Sequence, residues 1–239
     1  MEDKNVIGIS APVGSGKTEL ATILGKVLDT KVFYEPVDPE DNPVLKRFYG
    51  DKSKYGFLLQ MFFLDTRFGQ IKEAYKVQNG IIDSTIYTDR VFLNRLYKDG
   101  EVTKEEVDVY NSIFNHMMEE IDGLPYKKTP DLMISIKLSI ETEIARINHR
   151  NREFEQGEDQ IAYWDSLLGD YREWVSTYDA SPIHVIDGDK YDFVNNEADR
   201  TEVVEGIIVR LFSMGLLTKG ARDRAYENLA KVNEEMRNN

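Results

Sequence analysis

The sequence predicts an α/β fold in which a parallel sheet of five strands carries helices on both faces, and two observations predict it. Short apolar runs alternate along the chain with longer segments whose apolar residues recur at helical spacing. The first run, Val6-Ile7-Gly8-Ile9, leads through Ala11-Pro12-Val13-Gly14-Ser15-Gly16-Lys17-Thr18 into a helical pattern of Leu20, Ile23, Leu24, Val27 and Leu28. That is the strand, loop and helix context of a phosphate-binding loop, in which glycines let backbone N–H groups curl around phosphate oxygens and a lysine reaches the outer phosphates. Strands that alternate with helices pair in parallel and are covered on both faces.

The 239 residues are enough for one sizeable domain, and 41% hydrophobic with 11% aromatic content supports a packed core. A formal charge of −13 argues against nucleic acid as partner, because a phosphate-backbone binder shows a basic surface. The absence of cysteine excludes disulfides and thiol catalysis. Polar Glu2 to Asn5 lead straight into the first strand, and no run of 18 apolar residues follows. The expectation is a soluble cytoplasmic protein with no membrane partner.

In order, the first strand spans 5 to 10 and the first helix 18 to 28. In the loop, Ala11 stands where a phosphate-binding loop usually has its first glycine, which is acceptable if its φ is negative. Lys31-Val32-Phe33-Tyr34 is the second strand and ends in Glu35-Pro36-Val37. Ligands of open α/β sheets bind at the carboxyl ends of strands, so Glu35 is placed to meet them; a surface glutamate before proline is the alternative. Asp38 to Pro43 is turn-rich, 44 to 49 starts a helix, and Tyr55 to Tyr75 is a long, mostly buried helix in which the apolar positions Phe57, Leu58, Met61, Phe62, Leu64, Phe68 and Ile71 recur at helical spacing. Gln60 and Arg67, seven apart on it, share a face that either lines a site or is a solvated stripe.

Residues 80 to 83 form the third strand, again ending in an acid, Asp83, and Ser84-Thr85 suit a helix start before Tyr87 to Tyr97. Thr103 to Glu106 has the pattern of a capping box and opens a helix with Val107, Tyr110, Ile113, Phe114, Met117, Met118 and Ile121 inward. Gly123 to Pro130 connects to the fourth strand, 132 to 138. The next helix begins at Ser139 and carries Arg146, His149, Arg150 and Arg152. Such a cluster of forked cations either neutralises a transferring phosphoryl group or pairs at the surface with Glu153 and Glu155. A helix over 158 to 180, the fifth strand at 183 to 186, Asp187-Gly188-Asp189 and a helix over 197 to 216 complete the pattern. The tail from Gly220 to Asn239 is charged with few apolar positions, as in a solvated helix or a disordered segment.

Taken together, Gly14-Ser15-Gly16-Lys17-Thr18, Glu35-Pro36-Val37, Tyr49, Gln60, Arg67, Asp83-Ser84-Thr85, Asp89 and Arg150-Asn151-Arg152-Glu153-Phe154-Glu155-Gln156 resemble the deoxynucleoside kinase family. Asp187-Gly188-Asp189-Lys190, Asn42-Pro43-Val44-Leu45 and the Met117-Met118 helix are similar to its bacterial deoxyadenosine/deoxyguanosine kinase branch. The resemblance implies a P-loop kinase fold over 1 to 217 with an arginine-rich lid at about 146 to 157, leaving 218 to 239 as a tail. It implies ATP and Mg²⁺, a homodimer, and transfer to the 5′-hydroxyl of deoxyadenosine or deoxyguanosine, with deoxycytidine also possible.

By the same resemblance Glu35 is the general base, Tyr49 and Glu155 hold the 3′-hydroxyl, Gln60 pairs with the base, and Arg67 and Asp89 face its amino-bearing edge. Val13 to Thr18 and Asp187 bind ATP, Lys17, Arg146, Arg150 and Arg152 act on the phosphates, and Thr18 and Asp83 hold Mg²⁺. One position departs. Family members read Asp-Arg-Ser or Glu-Arg-Ser where this chain has Asp83-Ser84-Thr85, and Arg90, six residues on, lies about 240° around a helix from Ser84. A nucleotide-binding or sensing protein with weak or redirected chemistry is therefore the alternative expectation, and a deoxynucleoside monophosphate kinase the third.

Overall fold

The computed structural model describes residues 5–37, 42–122, 129–152, 155 and 157–238. Most of the turn expected at Asp38 to Pro43, most of the connector after Gly123, and Glu153, Phe154 and Gln156 of the lid motif lie outside the described residues. The order is β1 (Val6–Ser10), α1 (Lys17–Leu28), β2 (Val32–Phe33), α2 (Leu45–Gly50), α3 (Lys52–Val77), β3 (Gly80–Asp83), α4 (Ile86–Lys98) and α5 (Lys104–Asp122). It continues through β4 (Leu132–Lys137), α6 (Ile140–Arg150), α7 (Glu158–Thr177), β5 (Ile183–Asp187), α8 (Glu197–Ser213) and α9 (Lys219–Arg237). The five expected strands are all present, in spatial order β2-β3-β1-β4-β5 and parallel throughout.

β1 is central and buried along its whole length. Its register pairs Ile9 with Asp83 of β3 and Ser10 with Ser135 of β4, so three carboxyl ends meet at one edge. The chain turns to opposite sides of the sheet from β1, and ligand crevices in such sheets open at that switch point. Alternate residues feed two cores. Ile7 and Ile9 pack with α1, α8 and α9, whereas Val6 and Ile82 pack with α3, α4 and α5.

Helix starts follow their side chains. Asp51 accepts from the Lys54 N–H ahead of α3, Ser139 from Thr142 ahead of α6, and Asn196 from Ala198 and Asp199 ahead of α8. The capping box read at Thr103 is reciprocal: its N–H donates to Glu106 at 2.7 Å, and its hydroxyl accepts from the Glu106 N–H at 3.2 Å. The charged tail differs from the expectation of a solvated segment. Ala221, Ala225, Leu229 and Val232 form one buried stripe of α9 in the same core as α1, while Asn228 donates to the Val27 carbonyl at 3.2 Å. Two of the four stripe residues are alanines, which is why the apolar face is faint in the sequence. Among the described residues no helix is long and apolar enough to cross a membrane.

Candidate active site

The loop between β1 and α1 bends through Gly14 (φ 75°) and Gly16 (φ 83°), both in the left-handed region that a side chain disfavours. Ala11, buried at the end of β1, is not among the residues with positive φ, so its methyl is accommodated. The loop lines a cleft of about 710 Å³. Gly16 is the N-cap of α1, so the free N–H groups and positive end of that helix face whatever the loop holds.

Charges converge beside it. Lys17 Nζ is 3.1 Å from Glu35 Oε2 and 3.1 Å from Asp83 Oδ1, and the Thr18 hydroxyl donates to Asp83 Oδ2 at 2.7 Å. Arg67, reaching across from α3, donates through Nη2 to Glu35 and, at 2.9 Å, to the Ser84 hydroxyl, and pairs through Nη1 with Asp89. Its guanidinium carbon lies 4.6 Å from the centre of the Phe63 ring. Burial pushes the Glu35 carboxyl up, but Lys17 and Arg67 outweigh it and hold it below its usual value. Burial likewise pulls Lys17 down, and Glu35 and Asp83 reverse that and raise it, so both groups are charged at neutral pH.

Gln60 and Arg67 are each 2% exposed and both line the cleft, which excludes the solvated-stripe alternative for that face of α3. Tyr49 lines it too, its ring centre 6.2 Å from that of Trp164, and burial pushes its phenol well up. Glu155 is 3% exposed and pairs with Arg150 at 2.5 Å and with Arg152 at 3.5 Å. The arginine cluster therefore divides. Arg146 donates to the backbone carbonyls of Ser15 at 3.2 Å and Gly188 at 2.8 Å, tying the phosphate loop to the turn after β5, while Arg150 and Arg152 gather on Glu155.

Asp187 stands apart from the expected nucleotide contacts. Its carboxylate accepts from the N–H groups of Asp189 and Lys190 at 3.1 and 3.3 Å, shaping its own turn, and it does not line the cleft. Asp83 and Asp89, 1% and 0% exposed, lie behind the wall and act on it through Lys17, Thr18 and Arg67. Arg90 is turned away, its guanidinium over the Phe114 ring and 3.5 Å from the Asn115 side-chain oxygen.

Sequence reading missed several wall residues: Phe92, Tyr163, Tyr171, Val194 and Asn195. The two tyrosines sit on the apolar face of α7, where a pocket wall and a core contact have the same spacing. Val194 and Asn195 belong to an irregular turn with no periodic signal.

The deoxynucleoside kinase family matches residues 7–211. A deoxyguanosine kinase of Lactobacillus acidophilus is 47% identical over 215 residues, covering 89% of this chain and 93% of the relative. A deoxyadenosine kinase of the same organism is 40% identical over 215 residues, covering 89% of this chain and 99% of the relative. The solved deoxyadenosine kinase from M. mycoides with dCMP and dCDP bound superposes with a TM-score of 0.71 at 29% identity, covering 87% of this chain and 99% of that one. With a match of that length, and with a phosphate loop, a carboxylate beside its lysine and a Gln-Arg wall in one cleft, the chain belongs to the deoxynucleoside kinase family.

Proposed function

We propose that this kinase transfers the γ-phosphoryl group of ATP to the 5′-hydroxyl of a purine deoxynucleoside, deoxyguanosine or deoxyadenosine, with deoxycytidine as a weaker acceptor. The observation that carries the reading is the Glu35 carboxylate 3.1 Å from Lys17, a base held charged beside the cation of the phosphate loop. Glu35 takes the proton of the 5′-hydroxyl, and Lys17 follows the transferred charge. Arg150 and Arg152 supply further positive charge from the lid, while Arg146 holds the loop in shape.

The acceptor lies along α3. Gln60 meets the base with its amide, Tyr49 and Glu155 take the 3′-hydroxyl, and Arg67 and Asp89 set the polarity of the far end. Arg67 is the member of that pair that lines the cleft, and Asp89 behind it fixes which way the guanidinium faces the base. The names of the relatives, a deoxyguanosine and a deoxyadenosine kinase, support purines.

The Thr18 hydroxyl at the start of α1 and the Asp83 carboxylate at the end of β3, 2.7 Å apart, are hard oxygen donors of the kind Mg²⁺ takes. Thr18 would hold the ion, and Asp83, behind it, would do so through that hydroxyl or through water. When bound the ion would neutralise charge on the phosphates. Exposed Leu58 on α3 and Val109 on α5 support a homodimer through those helices, checked by the mass in solution. A cytoplasmic location accords with a nucleotide-consuming reaction.

Purified protein with ATP, Mg²⁺ and each of the four deoxynucleosides tests the proposal. Purine deoxynucleoside monophosphates are expected as the main products; none above background from any acceptor overturns it, and faster turnover of the monophosphates themselves favours a monophosphate kinase. A second reading is a nucleotide binder with slow turnover. It is favoured by one observation: residue 84 is serine, and Arg90 points elsewhere.

A further inference from the structure

A hydrogen-bond relay connects the C-terminal helix to two residues that pack against the phosphate loop. Asn233 of α9 is 6% exposed, and its side-chain oxygen accepts from Arg200 Nε at 2.8 Å. Its Nδ2 donates to the Thr201 hydroxyl at 2.9 Å, which orients the amide so that the oxygen faces the guanidinium. Arg200, on α8 and 3% exposed, passes the contact on through Nη1 to the carbonyls of Phe193 at 3.2 Å and Val194 at 2.9 Å. Those two residues bear on the loop directly. A Cβ placed on Gly16 would come within 3.2 Å of the Phe193 ring and 3.4 Å of a Val194 methyl, and Asp192, Val194 and Asn195 continue as the wall of the same cleft.

The chemistry of the relay is unusual for a packing contact. Among the described residues no carboxylate lies within ion-pair distance of Arg200, so a buried guanidinium is satisfied by one amide and two carbonyl oxygens. Carboxylate influence comes from Glu197, which Arg237 and, from beyond ion-pair distance, Arg200 hold below its usual value. The buried charge therefore depends on those bonds, and losing one acceptor leaves a donor unsatisfied. The segment it grips, between β5 and α8, has little regular structure of its own to fix it. α9 is in turn held on α1 by Ala221, Ala225, Leu229 and Val232, so the helix after the phosphate loop and the wall opposite Gly16 are braced by the same element.

We infer that Asn233 and Arg200 are positioning residues for the nucleotide held by the phosphate loop, and that α9 contributes to the affinity for ATP although it does not line the cleft. The inference rests on the kinase reading only for which nucleotide is titrated. It assigns to the tail a role in one half of the reaction, the phosphoryl donor, and none in choosing the acceptor.

The test is Asn233→Leu, which keeps the volume and removes the acceptor. The dissociation constant for ATP, measured by calorimetric titration, and the KM for ATP are each expected to rise about tenfold, the worth of one charge-assisted hydrogen bond. The KM for the preferred deoxynucleoside is expected to stay put. Asn233→Asp, which keeps an oxygen towards Arg200, is expected to retain wild-type ATP affinity. Asn228→Ala removes another tie of α9, the bond to the Val27 carbonyl, without touching the relay, and is expected to leave ATP affinity alone. Unchanged ATP binding by a folded Asn233→Leu protein, or an equal loss in Asn228→Ala, overturns the inference. Should Asn233→Leu not fold, Asn233→Ser, too short to reach Arg200, is read in the same way. The titration needs no turnover, so its outcome is separate from that of the kinase assay.

Discussion

The ammonium of Lys17 lies 3.1 Å from the Glu35 carboxylate and 3.1 Å from that of Asp83, so one cation joins the ends of β2 and β3 at the mouth of the phosphate loop. A carboxylate flanked by Lys17 and Arg67 stays ionised below the usual range of its kind, despite burial. Glu35→Gln keeps the shape and removes the base. The kcat should fall by about 10²–10⁴-fold, the usual worth of a positioned general base, while ATP binding persists. In the wild type a group with a depressed pKa is active above that value, so the acid limb of kcat/KM should lie below the ordinary glutamate range. A Glu35→Gln enzyme with undiminished kcat would remove Glu35 from the chemistry.

The pairing of Arg67 with Asp89 joins α3 to α4 in the interior, with side chains 3% and 1% exposed. Removing Asp89 strips the buried Nη1 side of Arg67 of its partner and leaves Glu35 and Ser84 to hold the guanidinium from Nη2 alone. Asp89→Ala should therefore destabilise the fold by about 2–3 kcal/mol in urea unfolding, the cost of leaving a buried charged donor unsatisfied. It should also lower activity towards deoxyguanosine and deoxyadenosine, because Arg67 loses the partner that fixes it beside Glu35 and Ser84. An unfolding midpoint like that of the wild type would show that Asp89 is not needed to hold Arg67.

Much of this fold was legible in the sequence, and the reasons differ from element to element. β1 and the loop to Thr18 declare themselves because an apolar run, two glycines and a lysine must occur in that order for backbone N–H groups to wrap a phosphate. β2 is only Val32–Phe33, yet Glu35 after it is readable because a carboxylate at a strand end lies at the binding edge. Gln60 and Arg67 are readable as one face, but whether that face was wet or buried depended on the helices packed over it. α9 was hidden by its charges, which cover the outward side of a helix whose inward side is half alanine. The role of Arg200 was invisible for a different reason: its partners are an amide 33 residues away and two backbone carbonyls, and only the folded chain brings them together.

Glu143, near the start of α6, is buried, and burial pushes its carboxyl up to about 8; Arg172 opposes that and Asp165 adds to it. Its backbone carbonyl packs against Gly14 of the phosphate loop. The folded protein thus keeps a proton that the unfolded chain releases above the usual glutamate value, and stability falls as pH rises from about 4.5 to about 8. Glu143→Gln cannot ionise, so the difference in unfolding free energy between it and the wild type should grow in the variant's favour across that window, by about 5 kcal/mol at most. Parallel pH profiles of melting temperature for the two proteins would show that the carboxyl titrates normally.

Ser84 sits with φ 75° at the end of β3 and accepts a hydrogen bond from Arg67 at 2.9 Å. Around it, among the described residues, the ion-pair partners of Glu35, Asp83 and Asp89 are Lys17 and Arg67, which leaves one carboxylate in excess. Ser84→Arg would introduce a third cation at a backbone position already left-handed with a side chain in place. It would sacrifice the charge-assisted Arg67 bond, worth about 1.5–3 kcal/mol to the fold. The charge balance outweighs that loss, because a guanidinium reaching the transferred phosphoryl group acts on the transition state rather than on the fold. The kcat with ATP and the preferred purine deoxynucleoside should therefore rise on the order of tenfold or more. A lower kcat in a variant that unfolds like the wild type would mean that Arg67, held by Ser84, already meets the charge of the reaction and that serine at this position is no lesion.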